Sequence, residues 1–525
     1  MKKKIIGICI CMLLIATALS VQAGWSEKTK LVASDGAAND RFGSAVDLDD
    51  NDAIVGAYFD DISGASNVGS AYVFTYSGAW SQQAKLTASD YAADDQFGTS
   101  IAISGDYAIV GAPFDDDSGT SSGSAYIFVR SGASWSQQAK IVAADAAAGD
   151  EFGISVDIDG NFAIVGAPGK SSNQGFAYVF VRSGSSWSQK GKLGATSSSH
   201  LGCSVSISED TVVMGAYGTN SNTGAAHIYQ FYNDSWWLKS KLTASDGGVS
   251  DMFGTSVSID GDYVICGAPG YDISVADEGA AYIFEKPVGG WVDMTETKKI
   301  TASDASSSDN FGMHVAICGY YTVISSPDDD DNGTASGSAY IFEKSTDWTQ
   351  KVKLTASDGA SQDYFGWSVS IIDNRVLVGA YTDDNSNGVD AGSAYVFDFI
   401  NSPPTIPVIT GPPNGKINTP YNYTFVSTDP DSDTLYYFVD WGDNTNTGWL
   451  GPFVSGYVLN GTHTWTNKGT YNIHCKAKDP YGAESEGTLS VTMPLSYEPP
   501  LHPFLLWLFN RFPHAFPILR NLLGY

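Results

Sequence analysis

A Phe-Gly pair followed fourteen residues later by a Gly-Ala pair recurs along most of this chain. Phe-Gly stands at Phe42, Phe97, Phe152, Phe253, Phe311 and Phe365, with Leu201-Gly202 in the remaining slot. The second pair begins at Gly56, Gly111, Gly166, Gly215, Gly267 and Gly379, and Ser325-Ser326 replaces it in the sixth copy. Successive copies lie 49 to 58 residues apart from Trp25 to Phe399, a spacing of propeller blades. Each copy continues into an Ala-Tyr-Val/Ile-Phe run, ending at Phe74 or Phe128 for example, and a Trp opens a last segment such as Trp80–Asp90.

The second copy predicts four short strands: Gly98–Ser104, Tyr107–Ala112, Ser124–Val129 and Trp135–Val142. Gly105-Asp106 makes a tight turn, and Asp, Ser and Gly fill the other links. Four antiparallel strands repeated seven times, with no helical periodicity between them, predict an all-β fold containing a seven-bladed β-propeller. A solenoid is the alternative. The array opens with an unpaired fourth-strand segment at Gly24–Asp35 and closes at Phe397 without one. Pairing the two ends removes two exposed sheet edges, which favours a closed ring.

Phe-Gly followed by Gly-Ala-Pro at Gly111, Gly166 and Gly267 resembles the FG-GAP repeat of integrin α-like propellers. The resemblance covers residues 25–399 and is nearest to the bacterial and archaeal branch with an LTASD segment. It implies that one loop face binds ligand. Integrin calcium loops between the first two strands are not carried over, because those hairpins here are only two to four residues.

Charge sharpens this reading. The 525 residues carry 28 Lys+Arg against 58 Asp+Glu, a formal net charge of −30, and about ten of the acids are Glu. Asp with 56 Gly is turn chemistry rather than helix chemistry, and the charge opposes nucleic-acid binding. The aromatic content of 13% excludes a disordered acidic chain. In a propeller, the loops from strand four to one and from strand two to three share a face, and most of the acid lies on them. Asp60, Asp61, Asp115, Asp116 and Asp117 mark this expected ligand face. For a divalent cation, with Ca2+ as the candidate, the alternating oxygens of Asp328, Asp330 and Asn332 before Gly333 stand first, and Asp383, Asn385 and Asn387 before Gly388 second. The opposing reading is that these residues only make turns and keep the chain soluble. The loops 169–175 and 218–224, with 197–200, lack acid and form a neutral sector in the third and fourth copies.

Lys2–Lys4, an apolar run Ile5–Leu19 and Val21-Gln22-Ala23 read as a signal peptide over residues 1–23. Its removal leaves 25 basic against 58 acidic side chains, a charge of −33. Cys203, Cys266, Cys318 and Cys475 show no metal-ligand spacing and are expected as buried free thiols. The expected layout is a propeller over 24–399, a linker over 400–407, a second module over 408–494 and a hydrophobic tail over 495–525. Asp429-Pro430-Asp431, Trp441-Gly442-Asp443, His463-Thr464-Trp465 and Gly469-Thr470-Tyr471 in the second module resemble the PKD domain, an immunoglobulin-like β-sandwich that serves as spacer or binding unit. The tail's apolar runs are broken by Asn510-Arg511, Pro513 and Pro517, which predicts a membrane-interface or sorting segment rather than a span.

No HExxH, phosphate loop or dinucleotide motif occurs. Gly119–Gly123 matches a nucleophile elbow but lies in a strand-to-strand loop. Asn233, Asn332, Asn422 and Asn460 head glycosylation sequons. The expectation is therefore a secreted or cell-surface, non-catalytic binding or adhesion protein that recognises an extracellular protein or glycan. A structural envelope component and a polysaccharide hydrolase are the alternatives.

Overall fold

The computed structural model describes residues 24–196, 199–272, 275–493, 507–508 and 511. The expected signal peptide and nearly all of the tail lie outside the described residues. Two compact units are formed, one over Trp25–Phe399 and one containing the chain from Ile400 onward.

The first unit consists of seven antiparallel sheets built on one plan. In the second repeat the strands are Ser100–Ser104, Tyr107–Ala112, Ser124–Ser131 and Ser134–Ile141. They pair in sequence order, with Ser104 opposite Tyr107 across the Gly105-Asp106 turn. The first strand begins two residues later than the sequence suggests, because Gly98 has φ 96° and is not yet part of the ladder. A Cβ at Gly98 would lie 2.4 Å from the carbonyl oxygen of Ser70, and one at Gly111 would lie 2.0 Å from that of Gly153. Both signature glycines thus let the backbones of neighbouring sheets touch. In the sixth repeat Ser325 stands at the second position, and its Oγ accepts the backbone N–H of His314 at 2.9 Å.

Between successive sheets lie the cores. Phe97 is fully buried against Tyr126 and Phe128, with edge-on ring centroids 5.5 and 5.9 Å away. Val73 and Leu86 of the preceding sheet join the same cluster. An equivalent cluster joins Leu377 and Val396 of the seventh sheet to Phe42, Tyr72 and Phe74 of the first.

The N-terminal strand Gly24–Leu31 is the outer strand of the seventh sheet, beside Ser393–Ile400. A repeated latch ties the outer strands. The Oε1 of Gln137 accepts the N–H of Ser89, that of Gln82 accepts Ser34, and the Oε2 of Glu27 accepts Ser357, each at 2.9 Å. A second latch runs along the first strands: Asp47 accepts Ile103 N–H at 2.8 Å, Asp157 accepts Ile207 at 2.7 Å, and Ser370 Oγ accepts Leu48 at 3.2 Å. The fifth repeat departs from the plan. Its Met294–Thr295 pairs in parallel with the outer strand Ser235–Thr243 of the fourth sheet.

The second unit is an immunoglobulin-like, PKD-like module of two sheets. One holds Val408–Thr410, Tyr421–Val426 and Leu459–His463. The other runs in the order Asn446–Phe453, Leu435–Asp440, Gly469–Lys478 and Glu484–Met493. Trp441 and Trp465 are buried at its centre. The Trp441-Gly442-Asp443 motif has a physical reason here. Trp441 stacks on His463 at 4.7 Å, Asp443 pairs with His463 Nε2 at 2.8 Å, and Gly442 takes φ 79° against the backbone of Asn472.

Candidate cation centre and loop face

The acids of the loop face divide into held and outward groups. Asp115 is buried and accepts from Tyr126 Oη at 2.7 Å, and the Lys140 ammonium lies 2.8 Å from it, 2.8 Å from Asp90 and 2.5 Å from Asp117. The unit recurs. Lys85 joins Asp35 and buried Asp60 at 2.7 Å each, Lys353 joins Asp304, Asp329 and Asp331, and Lys30 joins Asp358 and Asp383 at 2.8 Å each. Each lysine therefore clamps the loop after the outer strand to the loop between strands two and three. Asp115 is held below the usual carboxylate range, its burial outweighed by Lys140 and by Asp117 N–H and Tyr126. Asp61 and Asp116 are exposed, and each accepts one loop N–H, from Asn67 at 2.8 Å and Ser121 at 2.7 Å.

The residues expected to hold calcium make the following hydrogen bonds. Asp328 accepts from Asn310 Nδ2 at 2.8 Å, Asp330 accepts the N–H of Ala335 at 2.8 Å, and the backbone N–H of Asn332 reaches Ser336 Oγ at 3.2 Å. Asp383 is buried against Lys30, Ser393 and Tyr395. Asn385 accepts Asn387 N–H at 2.8 Å, while Asn387 Nδ2 donates to Ala33 O at 2.8 Å. The sequon residues Asn233, Asn332, Asn422 and Asn460 are all exposed.

Among the described residues, one cluster of carboxylates does converge: ligand atoms of Asp429, Asp431 and Asp433 lie within 4.8 Å of one another. Asp429 Oδ1 accepts the N–H groups of Asp431 at 2.9 Å and Asp433 at 3.3 Å, so the loop folds around it. Its Oδ2 is buried without a hydrogen-bond partner. Asp431 Oδ2 accepts Ser402 N–H at 2.6 Å, and its Oδ1 is likewise buried and unpartnered. Close by, Asp479 accepts from Asn401 Nδ2 at 2.9 Å, and Asn401 Oδ1 is another buried oxygen without a donor. The pKa of Asp429 is raised by burial and by the charges of Asp431 and Asp479. Buried anionic oxygens left without donors are costly; an all-oxygen donor set of this kind suits a hard divalent cation. The sequence shows Asp429-Pro430-Asp431, but not that Ser402 N–H meets Asp431 or that Asn401 pairs with Asp479, since these partners are distant along the chain.

Ser199 Oγ is 3.1 Å from His200 Nδ1, and this ring stacks on Tyr217. No catalytic residue constellation is found among the described residues. Cys203, Cys266, Cys318 and Cys475 are free thiols; Cys266 and Cys475 are buried, and burial pushes the Cys475 thiol up to about 12. No helix among the described residues is long and apolar enough to cross a membrane.

The fold defines an essentially all-β protein of seven four-stranded repeats followed by a PKD-like module. The FG-GAP repeat model matches residues 25–74, 80–128, 135–180, 187–229, 236–284, 294–342 and 348–397, more than half of the chain. The chain belongs to the FG-GAP repeat family. No curated protein matches it. Among solved structures it is similar to the PKD domain of an M14-like peptidase from a Thermoplasmatales archaeon, at 53% identity. That match covers 18% of this chain and 99% of the other, with a TM-score of 0.18. The PKD1 domain of Vibrio anguillarum Epp matches at 18% identity, over 18% of this chain and all of its own length (100%), with a TM-score of 0.14.

Proposed function

We propose that this is a secreted, surface-retained binding protein in which a closed seven-bladed propeller presents its loop face to an extracellular protein or glycan. The observation that carries this reading is the lysine clamp. By locking paired loops together in repeat after repeat, it gives a preorganised face on which Asp61 and Asp116 remain exposed. The PKD-like module is a spacer whose start is tied down by calcium, held by Asp429, Asp431 and Asp433 with the Asn401 carbonyl oxygen. When bound, the ion neutralises the crowded carboxylates and fixes residues 401–402 to the 429–433 loop. The tail from residue 495 is the retention segment, read by a membrane interface or sorting system.

A binding array of glycans and matrix proteins, run with and without calcium, tests the recognition role. Capture that falls on neutralising Asp61 and Asp116 is the expected result; an array on which nothing is captured overturns it. Calorimetric titration of the full chain with calcium tests the ion site. Heat of binding that disappears in Asp429→Asn is expected, and no heat at millimolar calcium refutes the site.

A further inference from the structure

The first strands of all seven repeats line a cavity of about 240 Å³ at the channel end that opens on the loop face. In a chain of net charge −30, its lining contains no Asp, Glu, Lys or Arg. It is instead a collar of hydroxyls. Ser100, Ser155 and Ser368 donate to the carbonyl oxygens of Gly153, Gly202 and Gly43 at 2.7, 2.8 and 2.9 Å, leaving oxygen lone pairs to accept. Ser204 and Ser256 accept the N–H groups of Val257 and Val315 at 3.0 and 3.1 Å, leaving hydroxyl hydrogens to donate. Ser44, which also lines the cavity, is 7% exposed, and its Oγ has no hydrogen-bond partner. A buried hydroxyl without a partner is uncommon.

Aromatic rings stand next to the lining residues His314 and Ser368, outside the lining itself. His314, the sixth repeat's contribution to the collar, faces Trp367 at 6.2 Å. Trp367 lies 4.3 Å from Tyr381, which Tyr364 approaches at 5.7 Å and the Arg41 guanidinium at 5.3 Å. All are half-buried, and Tyr381 is held by Trp367 and Arg41 together. Burial pulls the His314 pKa down to about 4, which keeps the mouth neutral.

We infer that this mouth binds one neutral sugar residue, its apolar C–H face against Trp367 at the rim and its hydroxyls among the serines. The inference rests on the reading of the loop face as the ligand-binding one, and narrows the ligand to the uncharged end of a glycan. A sugar ring has what the site complements: an apolar face and a rim of groups that both donate and accept. The cavity lies below the ~300–1,000 Å³ of drug-sized ligand pockets, which suits a single ring. The lining holds no cation for a carboxylated or sulfated glycan; Arg41, packed on Tyr381, lies outside it.

The test is a glycan array probed with the full chain. It carries neutral oligosaccharides ending in glucose, galactose, mannose or N-acetylglucosamine, beside sialylated and sulfated ones and matrix proteins. Capture of a neutral terminus is expected, with affinity falling about tenfold or more in Trp367→Ala. The exposed outer-strand change Trp237→Ala leaves it unaltered. Trp367→Phe recovers part of the affinity and Ser44→Ala loses part of it, which separates a binding loss from a folding loss. Capture confined to proteins or anionic glycans, and unaffected by Trp367→Ala, overturns the sugar site but leaves the loop-face reading standing. Failure to capture anything removes both.

Discussion

Two populations of aspartate with opposite proton affinities share the propeller loops. Asp40, Asp95, Asp309 and Asp363 each stand two residues before a Phe-Gly, buried, with Oδ2 accepting a backbone N–H at 2.6–2.7 Å from three residues upstream. Burial raises each pKa to about 6. On the first strands, burial and the neighbouring charge of Asp47 take Asp157 to about 7. The folded state therefore binds these protons where the unfolded chain has released them. Their contribution favours folding as pH falls from about 7 and is complete below the ordinary carboxylate value. The lysine-clamped acids Asp115, Asp304 and Asp358 are shifted down, so their contribution is present above that value and lost as pH falls beneath it. The melting temperature is expected to rise from pH 7 toward pH 4–5 and to drop below pH 4, which calorimetry across that range would read. Asp95→Asn, which keeps the acceptor for Ala92 N–H, is expected to raise the melting temperature at pH 7 and flatten the slope. Lys140→Ala has the opposite character, leaving Asp115 buried without its cation at a cost of about 3–5 kcal/mol in denaturant unfolding. A clamp of this kind was hard to read in advance. The lysines of the KLTASD segments look like ordinary outer-strand residues, and their partners come from loops more than 20 residues away.

At the scale of the element, the repeat unit was legible because its signatures are backbone requirements rather than preferences. Phe-Gly and Gly-Ala survive in nearly every copy since neighbouring backbones meet there, and the Ala-Tyr-Val/Ile-Phe run survives because Tyr126 and its counterparts seat the phenylalanine ring. The carboxylates of Asp429, Asp431 and Asp433 are alternate acids within five residues and were as legible as those at Asp328 and Asp330; what the pattern did not show is the bond from Ser402 N–H to Asp431, 29 residues away. Substituting Gly111→Ala places a methyl 2.0 Å from Gly153 O, against backbone that cannot move without shifting the third sheet. A loss of about 1–3 kcal/mol in chemical denaturation is expected, while Gly105→Ala, whose Cβ meets nothing within 4 Å, bears only the cost of φ 56°. In the PKD-like module, calcium at a hundred times its dissociation constant is expected to add about 2.7 kcal/mol to the stability of wild type and nothing to Asp429→Asn. Thermal unfolding with calcium and then with a chelator would measure the difference.

For the propeller as a whole, the question is what holds the last sheet to the first. Sequence-adjacent sheets are joined by the chain itself, whereas the seventh and first meet through side chains, through backbone bonds such as Phe42 N–H to Ala391 O at 2.9 Å, and through the strand Gly24–Leu31. That strand supplies three kinds of contact at once. It covers the edge of Ser393–Ile400, its Lys30 clamps Asp358 and Asp383, and its Glu27 latches Ser357 of the sixth sheet. Its continuation reaches the first sheet, where Ser34 N–H meets Gln82 and Leu31 enters the cluster of Phe42 and Phe74. Deleting residues 24–31 therefore removes the outer strand, strands buried Asp383 without its lysine and exposes an unpaired edge whose natural remedy is another copy's strand. The truncated protein is expected to elute as oligomers or aggregates, and to melt well below the intact chain. A synthetic peptide of residues 24–35 supplied in trans should restore the size of the intact protein, whereas the same peptide with Lys30→Ala should do so poorly. Light scattering of the truncated protein with each peptide decides it. A truncated chain that keeps the size and stability of the intact protein would mean that the strand decorates the ring instead of closing it.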